Sequence, residues 1–194
     1  MKLLGFLTIF ASLAGSCAFA DDVGFGVNAG VHWGLGKMYN STYTIPVRTM
    51  NTLDLQALPG VRWGNWLFGV LGEVRFVGQN TDFEQVANQN MRGTGYLLGI
   101  GGTYLLGDYK FLASFDLIGK HSLSTQDPNG NDVTYQKPRG LHLQGAYRVW
   151  REFYAELALS IESYKTSSLA GSDADISNSK FTHWNAGVGI SYNF

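Results

Sequence analysis

Apolar side chains recur at every second position over most of this chain, and a period of two is the mark of a β-strand with one apolar face. Phe25, Val27, Ala29, Val31, Trp33 and Leu35 alternate with Gly24, Gly26, Asn28, Gly30, His32 and Gly34. The rhythm returns in Leu53, Leu55, Ala57, Val61 and Trp63, and again in Trp66, Phe68, Val70, Val74 and Phe76. Tyr96, Leu98, Ile100, Tyr104 and Leu106 make a fourth run, and Tyr109, Phe111, Ala113, Phe115 and Leu117 a fifth. Leu141, Leu143, Tyr147 and Val149 follow, then Phe153, Ala155, Leu157, Leu159 and Ile161, and finally Trp184, Ala186, Val188, Ile190, Tyr192 and Phe194. Eight strands are predicted. Pro59 falls on the apolar register of the second and has no N–H to donate, which predicts a bulge there.

The first twenty residues stand apart. Lys2 precedes an apolar run from Leu3 to Leu13, and small residues lead to Ala18-Phe19-Ala20, the pattern of a secretory signal cut after Ala20. Residues 21–194 then form one domain, without the lone Cys17 and so without disulfide or thiol chemistry. With 25 Gly, 14% aromatic and 15% charged residues, the composition suits strands and tight turns and excludes disorder. Lys plus Arg number 14 against 15 Asp plus Glu, so nothing favours a nucleic-acid partner. No later segment approaches the roughly 18 to 20 apolar residues of a spanning helix, whereas a barrel strand needs only about 9 to 11 alternating ones.

Charge decides which face meets lipid, since a charged side chain on the lipid face costs about 2 to 4 kcal/mol at the midplane. The apolar faces carry none. The opposite faces hold Asp54, Glu73, Asp116, Glu156 and Glu162 with Arg62, Arg75, Lys110, Lys120 and Arg148, five acids and five bases. These are expected inside the barrel as a paired ionic plug, because eight strands leave an interior that side chains fill. Trp63, Trp66, Tyr104, Tyr109, Tyr147, Phe153 and Tyr192 fall near the same strand ends, where an aromatic girdle belongs.

Connections after the second, fourth and sixth strands are a few residues long, at Gly64-Asn65, Gly107-Asp108 and Arg151-Glu152. The others are long, roughly 36 to 51, 78 to 92, 122 to 139 and 165 to 180. An up-and-down barrel sorts odd and even connections to opposite ends, and short turns at one end with long loops at the other mark outer-membrane barrels. With these features, the terminal run Val188, Ile190, Tyr192 and Phe194 resembles the small eight-stranded outer-membrane proteins, the OmpA-type transmembrane domain and OmpX-like group, over residues 23 to 194. The resemblance implies an all-β, eight-stranded antiparallel up-and-down transmembrane β-barrel in a Gram-negative outer membrane. It makes the terminal run a signal for the barrel assembly machinery, and outer-membrane lipid and lipopolysaccharide the surroundings. The expected role is structural or surface-interacting, with an extracellular ligand met through the long loops. A narrow, weakly conducting pore and a lipid A-modifying enzyme are the alternatives.

The enzymatic alternative rests on His121-Ser122-Leu123-Ser124. Lipid A deacylases of the outer membrane pair a His and a Ser on one lipid-facing strand face, but the residue sharing His121's face here is Leu123, and Ser122 points the other way. His32, His142 and His183 fall on the lumen face at what should be different heights, without a short ligand spacing, and are expected in the ionic network and not on a metal. Asp127, Asn129 and Asn131 imitate a calcium loop, but Asp132 replaces its Gly and Pro138 its closing Glu. No catalytic residue, cofactor or metal is expected.

Overall fold

The computed structural model describes residues 23–39, 48–79, 92–124, 133–169, 172–175 and 182–194. The expected leader and its cleavage residues Ala18 and Ala20 lie outside these, as do large parts of the long connections. Every described element is a strand: β1 Val23–Tyr39, β2 Arg48–Trp63, β3 Trp66–Gln79, β4 Arg92–Leu106, β5 Tyr109–Ser124, β6 Val133–Trp150, β7 Phe153–Leu169, β8 Ser172–Asp175 and β9 Thr182–Asn193.

β1 to β6 pair in sequence, β6 pairs with β7, β7 with β9, and β9 with β1, all antiparallel. Eight strands therefore close a ring without a free edge, as lipid requires, since no water is there to satisfy an open backbone. The ninth, β8, is a four-residue strand that folds back on the end of β7. It lies within the expected 165–180 connection, and β1, β2, β6 and β7 likewise run further than the alternation alone suggested. The tight turns sit where expected, and Gly64 and Gly107 take φ of 54° and 60°, the left-handed backbone that a two-residue hairpin turn demands at its first position.

Two expectations about regularity are overturned. Pro59 makes no bulge: β1–β2 register runs straight through Val27↔Pro59, and β2–β3 keeps its register from Ala57↔Gly72 to Gly60↔Gly69. The missing donor is absorbed as a gap in the β2–β3 ladder. Beside the gap the backbones are so close that a Cβ on Gly69 would stand 1.9 Å from the Pro59 carbonyl oxygen. The bulge lies instead on β5, where Gly99 faces Asp116 but Leu98 faces Ile118, so Leu117 is the extra residue. The β5–β6 ladder is also broken, between Phe115↔Leu141 and Lys120↔Gln136, and Lys137 there takes φ of 54°.

The barrel is inverted relative to a soluble protein. Large apolar side chains of the wall stand 41–68% exposed, from Leu53 at the low end to Leu157 at the high one. The interior buries Asp, Glu, Arg, Lys, His, Asn and Gln.

Candidate functional site: the ionic lumen and the outer collar

At the turn end, Tyr154 is fully buried on β7, with Lys110 from β5 4.8 Å and the Arg148 guanidinium 5.7 Å from its ring centre. Leu58, Leu67, Leu71 and Leu112 form a small apolar cluster from β2, β3 and β5. Lys110 pairs with Glu156 at 2.5 Å and hydrogen-bonds Ser191, whose hydroxyl donates to Glu156 Oε1 at 2.6 Å; the His32 ring meets the other oxygen of Glu156. One cation, one carboxylate and one imidazole thus close a nearly neutral group. Gln56 and Gln144 exchange reciprocal amide hydrogen bonds of 2.8 and 3.0 Å from β2 to β6, bridging the lumen.

Arg75 organises the other group. Its Nε donates to Asp54 Oδ1 at 2.8 Å, its Nη1 to Glu162 Oε1, and its Nη2 lies 2.8 Å from Glu73 Oε1 as an ion pair. Those carboxylates come from β2, β7 and β3, so one guanidinium ties strands that are not neighbours. His142 lies 2.7 Å from Asp116, Tyr164 donates to Glu162 at 3.1 Å, and Asn185 donates to Thr52 at 2.8 Å and to Asp54 at 3.5 Å. A cavity of about 10 Å³ among these side chains, room for about one water, is lined by His32, Asp54, Glu73, Arg75 and His142 among others.

The structure brings together Asp54, Glu73, Arg75, Lys110, Asp116, Glu156 and Glu162 and removes three residues from the expected network. Lys120 is exposed opposite Tyr96 on the wall, because the Leu117 bulge resets the alternation beyond it; Ile118, which an unbroken alternation would turn inward, is 62% exposed. Arg148 stands at the lumen mouth, bonding the Gly107 carbonyl and the Tyr154 hydroxyl, with its side chain 35% exposed. Arg62, half-buried near the same end, makes no ion pair among the described residues. The expected parity of five acids and five bases is therefore wrong: among the described residues the buried charges are five carboxylates against Arg75 and Lys110. His32, His142 and His183 are all buried in this network.

Aromatic rings gather in a band at the turn end. Trp66 packs on Tyr104 at 4.5 Å between ring centres, Tyr109 on Tyr147 at 5.4 Å, and Phe153 on Tyr192 at 4.7 Å, while Trp63 lies opposite Trp66 across the turn. Trp150, absent from the sequence reading, stacks on Phe153 at 5.6 Å. Phe194 packs on Tyr192, and its N–H donates to the Val27 carbonyl at 2.8 Å, so the terminal run Val188, Ile190, Tyr192 and Phe194 is stitched to β1. At the opposite end Lys37, Lys120, Lys137, Arg139 and Lys165 are exposed. Among the residues whose side chains are described, the exposed acids are Asp108 and Glu152 at the turns and Asp173 and Asp175 on β8, which pairs with the same end of β7 as Lys165. The side chains of His121 to Ser124 are outside the described residues.

This is the fold of the small outer-membrane β-barrel proteins. Neisserial surface protein A (NspA) is 14% identical, with a TM-score of 0.51 over 88% of this chain and 97% of that one. Ail, the attachment invasion locus protein of Yersinia pestis, is 11% identical, with a TM-score of 0.55 over 87% and 98%. OprG from Pseudomonas aeruginosa is 8% identical, with a TM-score of 0.51 over 88% and 95%. No protein-family model and no curated sequence matches the chain.

Proposed function

We propose that this protein is a non-enzymatic barrel of the Gram-negative outer membrane that works from its outer surface, as a structural and surface-interaction protein and not as an open pore. The basic collar carries the reading. Lys37, Lys120, Lys137, Arg139 and Lys165 are exposed at the end of the wall where the phosphates of lipopolysaccharide would lie, and side chains of this length can keep their charges at the headgroups. Ail, which shares the fold, was solved with the heparin analogue sucrose octasulfate, so a barrel of this shape can hold a polyanion. Side chains that cross the lumen support the closed state: the leucine cluster, the Gln56–Gln144 bridge and the Arg75 group, whose own cavity holds about one water. The stitched terminal run suits recognition by the barrel assembly machinery, and the long connections would hold any extracellular ligand site.

The test is a collar variant, K37Q/K120Q/K137Q/R139Q/K165Q, compared with wild type for heat-dependent gel mobility and for lipopolysaccharide retained through detergent purification. Each basic residue near an anionic membrane surface contributes about 1 kcal/mol. The variant is therefore expected to fold, shift on boiling and release the lipopolysaccharide that wild type keeps. Equal retention by the two folded proteins would refute the collar as the contact.

A further inference from the structure

His142 projects from β6 into a ring of carboxylates from three other strands, Glu73 on β3, Asp116 on β5 and Glu162 on β7. Its Nε2 hydrogen-bonds Asp116 Oδ2 at 2.7 Å, which in the neutral ring keeps the proton on Nε2 and leaves the Nδ1 lone pair bare. Nδ1 faces Glu73 Oε2 at 3.7 Å, too far for a hydrogen bond. With the ring neutral, two electron-rich atoms would face each other there. One donor atom each from Glu73, His142 and Glu162 lie within 4.8 Å of one another. Donors on a tetrahedral metal with bonds of about 2.0 to 2.1 Å stand roughly 3.4 Å apart; Glu73 Oε2 is 3.7 Å from Nδ1, whereas Glu162 Oε1 lies 3.9 Å from Nε2, so Glu162 has to turn toward Nδ1 to close the set. A carboxylate bonded to the far nitrogen of a metal-binding imidazole is the pairing that orients such rings, and Asp116 occupies that place.

Independent observations point to the same spot. Asp54, Glu73, Asp116 and Glu162 are buried around Arg75, while Lys110 is committed to Glu156, so the group is short of fixed positive charge, and only the imidazoles of His142 and His183 stand beside those carboxylates to supply more. Asp116 is fully buried; Oδ2 holds His142, and Oδ1, one bond from the same carbon, has no hydrogen-bond partner. Glu73 Oε1 is held by Arg75 as an ion pair at 2.8 Å, which leaves Oε2 toward His142. The water-sized cavity is lined by Glu73 and His142.

We propose that Glu73, His142 and Glu162 form a lumenal site for a divalent transition metal of the Zn²⁺ class, with Asp116 as a positioning residue and a water in the cavity completing the shell. Imidazole favours such ions over Mg²⁺ or Ca²⁺, which take oxygen donors. The sequence hid the set, because it joins one of three lumenal histidines to carboxylates on two other strands.

The mature barrel, stripped with chelator and refolded with Zn²⁺ present so that access is not limiting, is freed of loose ion by gel filtration and assayed by elemental analysis. One equivalent per folded chain is expected, with heat-dependent gel mobility certifying the fold. H142Q and E73Q should each weaken retention by more than about 100-fold, and D116N by roughly 10- to 100-fold. Should H142Q not fold, Cu²⁺-loaded wild type reads the same point, since its electron paramagnetic resonance spectrum should show coupling to a single imidazole nitrogen. A folded wild type without metal, full retention in folded H142Q, or a copper spectrum with no nitrogen or several would each overturn the site.

Discussion

Arg75→Met removes the one cation of the upper lumenal group while roughly preserving side-chain volume. The guanidinium holds Asp54 at 2.8 Å, Glu73 at 2.8 Å and Glu162, and its own side chain is 1% exposed. Breaking a buried pair by deleting one partner costs about 3–5 kcal/mol, because the stranded charge keeps its desolvation penalty. Three carboxylates share this partner, so the lower bound is a single pair, about 3 kcal/mol, or more than about 100-fold in the folding equilibrium. The assay is urea unfolding of barrel refolded into phosphatidylcholine vesicles, with chelator present so that no bound cation substitutes for Arg75. Trp33, Trp63, Trp66, Trp150 and Trp184 all stand on the outer surface, so their fluorescence reports loss of lipid contact. A companion variant, R75M/D54N/E73Q/E162Q, removes the stranded charges and should recover most of the loss. If R75M lies within about 1 kcal/mol of wild type, the carboxylates are not held by Arg75 and the charge argument fails.

Two further outcomes test the backbone. Gly69→Ala would drive a Cβ to 1.9 Å from the Pro59 carbonyl oxygen and should cost at least the roughly 1–3 kcal/mol of ordinary overpacking, whereas Gly72→Ala, whose nearest neighbour is Leu98 Cδ2 at 3.7 Å, should be nearly neutral; vesicle unfolding midpoints compare them. The β5 bulge is read by single nitroxide labels in residues 21–194, which contain no cysteine. Positions 115, 117 and 118 should all show the oxygen accessibility of a lipid-facing site and position 116 should not, while strict alternation would instead hide 118.

The strand faces were legible because lipid and lumen demand opposite polarity at successive positions, and a period of two survives in any reading of Phe25 to Leu35 or Trp184 to Phe194. The bulge was not, since Leu117 and Ile118 are both apolar and the alternation can be counted straight through them to Lys120. Their adjacency, followed by Gly119, was the available signal, and Val149-Trp150 before the third turn carries the same one, where β6–β7 register also shifts. Height along the barrel axis was out of reach. Sequence assigns Glu162 and Arg75 to the lumen, but their meeting depends on strand stagger around the closed ring, which no local pattern encodes. For the same reason the partition into a neutral Lys110–Glu156–His32 group and an acid-rich Arg75 group had no sequence trace.

A polar interior has a cause that precedes its stability. β1 is 17 residues long, β6 is 18 and β7 is 17, close to the roughly 18 to 20 residues that span a bilayer as a helix. With apolar lumen positions, each would be apolar enough to read as a transmembrane helix; alternation instead holds mean hydropathy to −0.05. That requirement is met by any polar residue, and Asn28, Gln56, Gln144 and Ser160 meet it without charge. Buried charges are harder to place, so they need a second reason, and Arg75 supplies one. Its carboxylate partners sit on β2, β3 and β7, and β7 reaches β3 around the wall only through several intervening pairings. A guanidinium that must find Asp54 and Glu162 together, with Glu73 beside it on β3, is satisfied by one stagger of the ring, because a slip by two residues, which keeps every apolar side chain on lipid, would carry a carboxylate about 7 Å along its strand and out of reach. The ionic group therefore selects the closed register that the uniform apolar exterior leaves nearly free to slide.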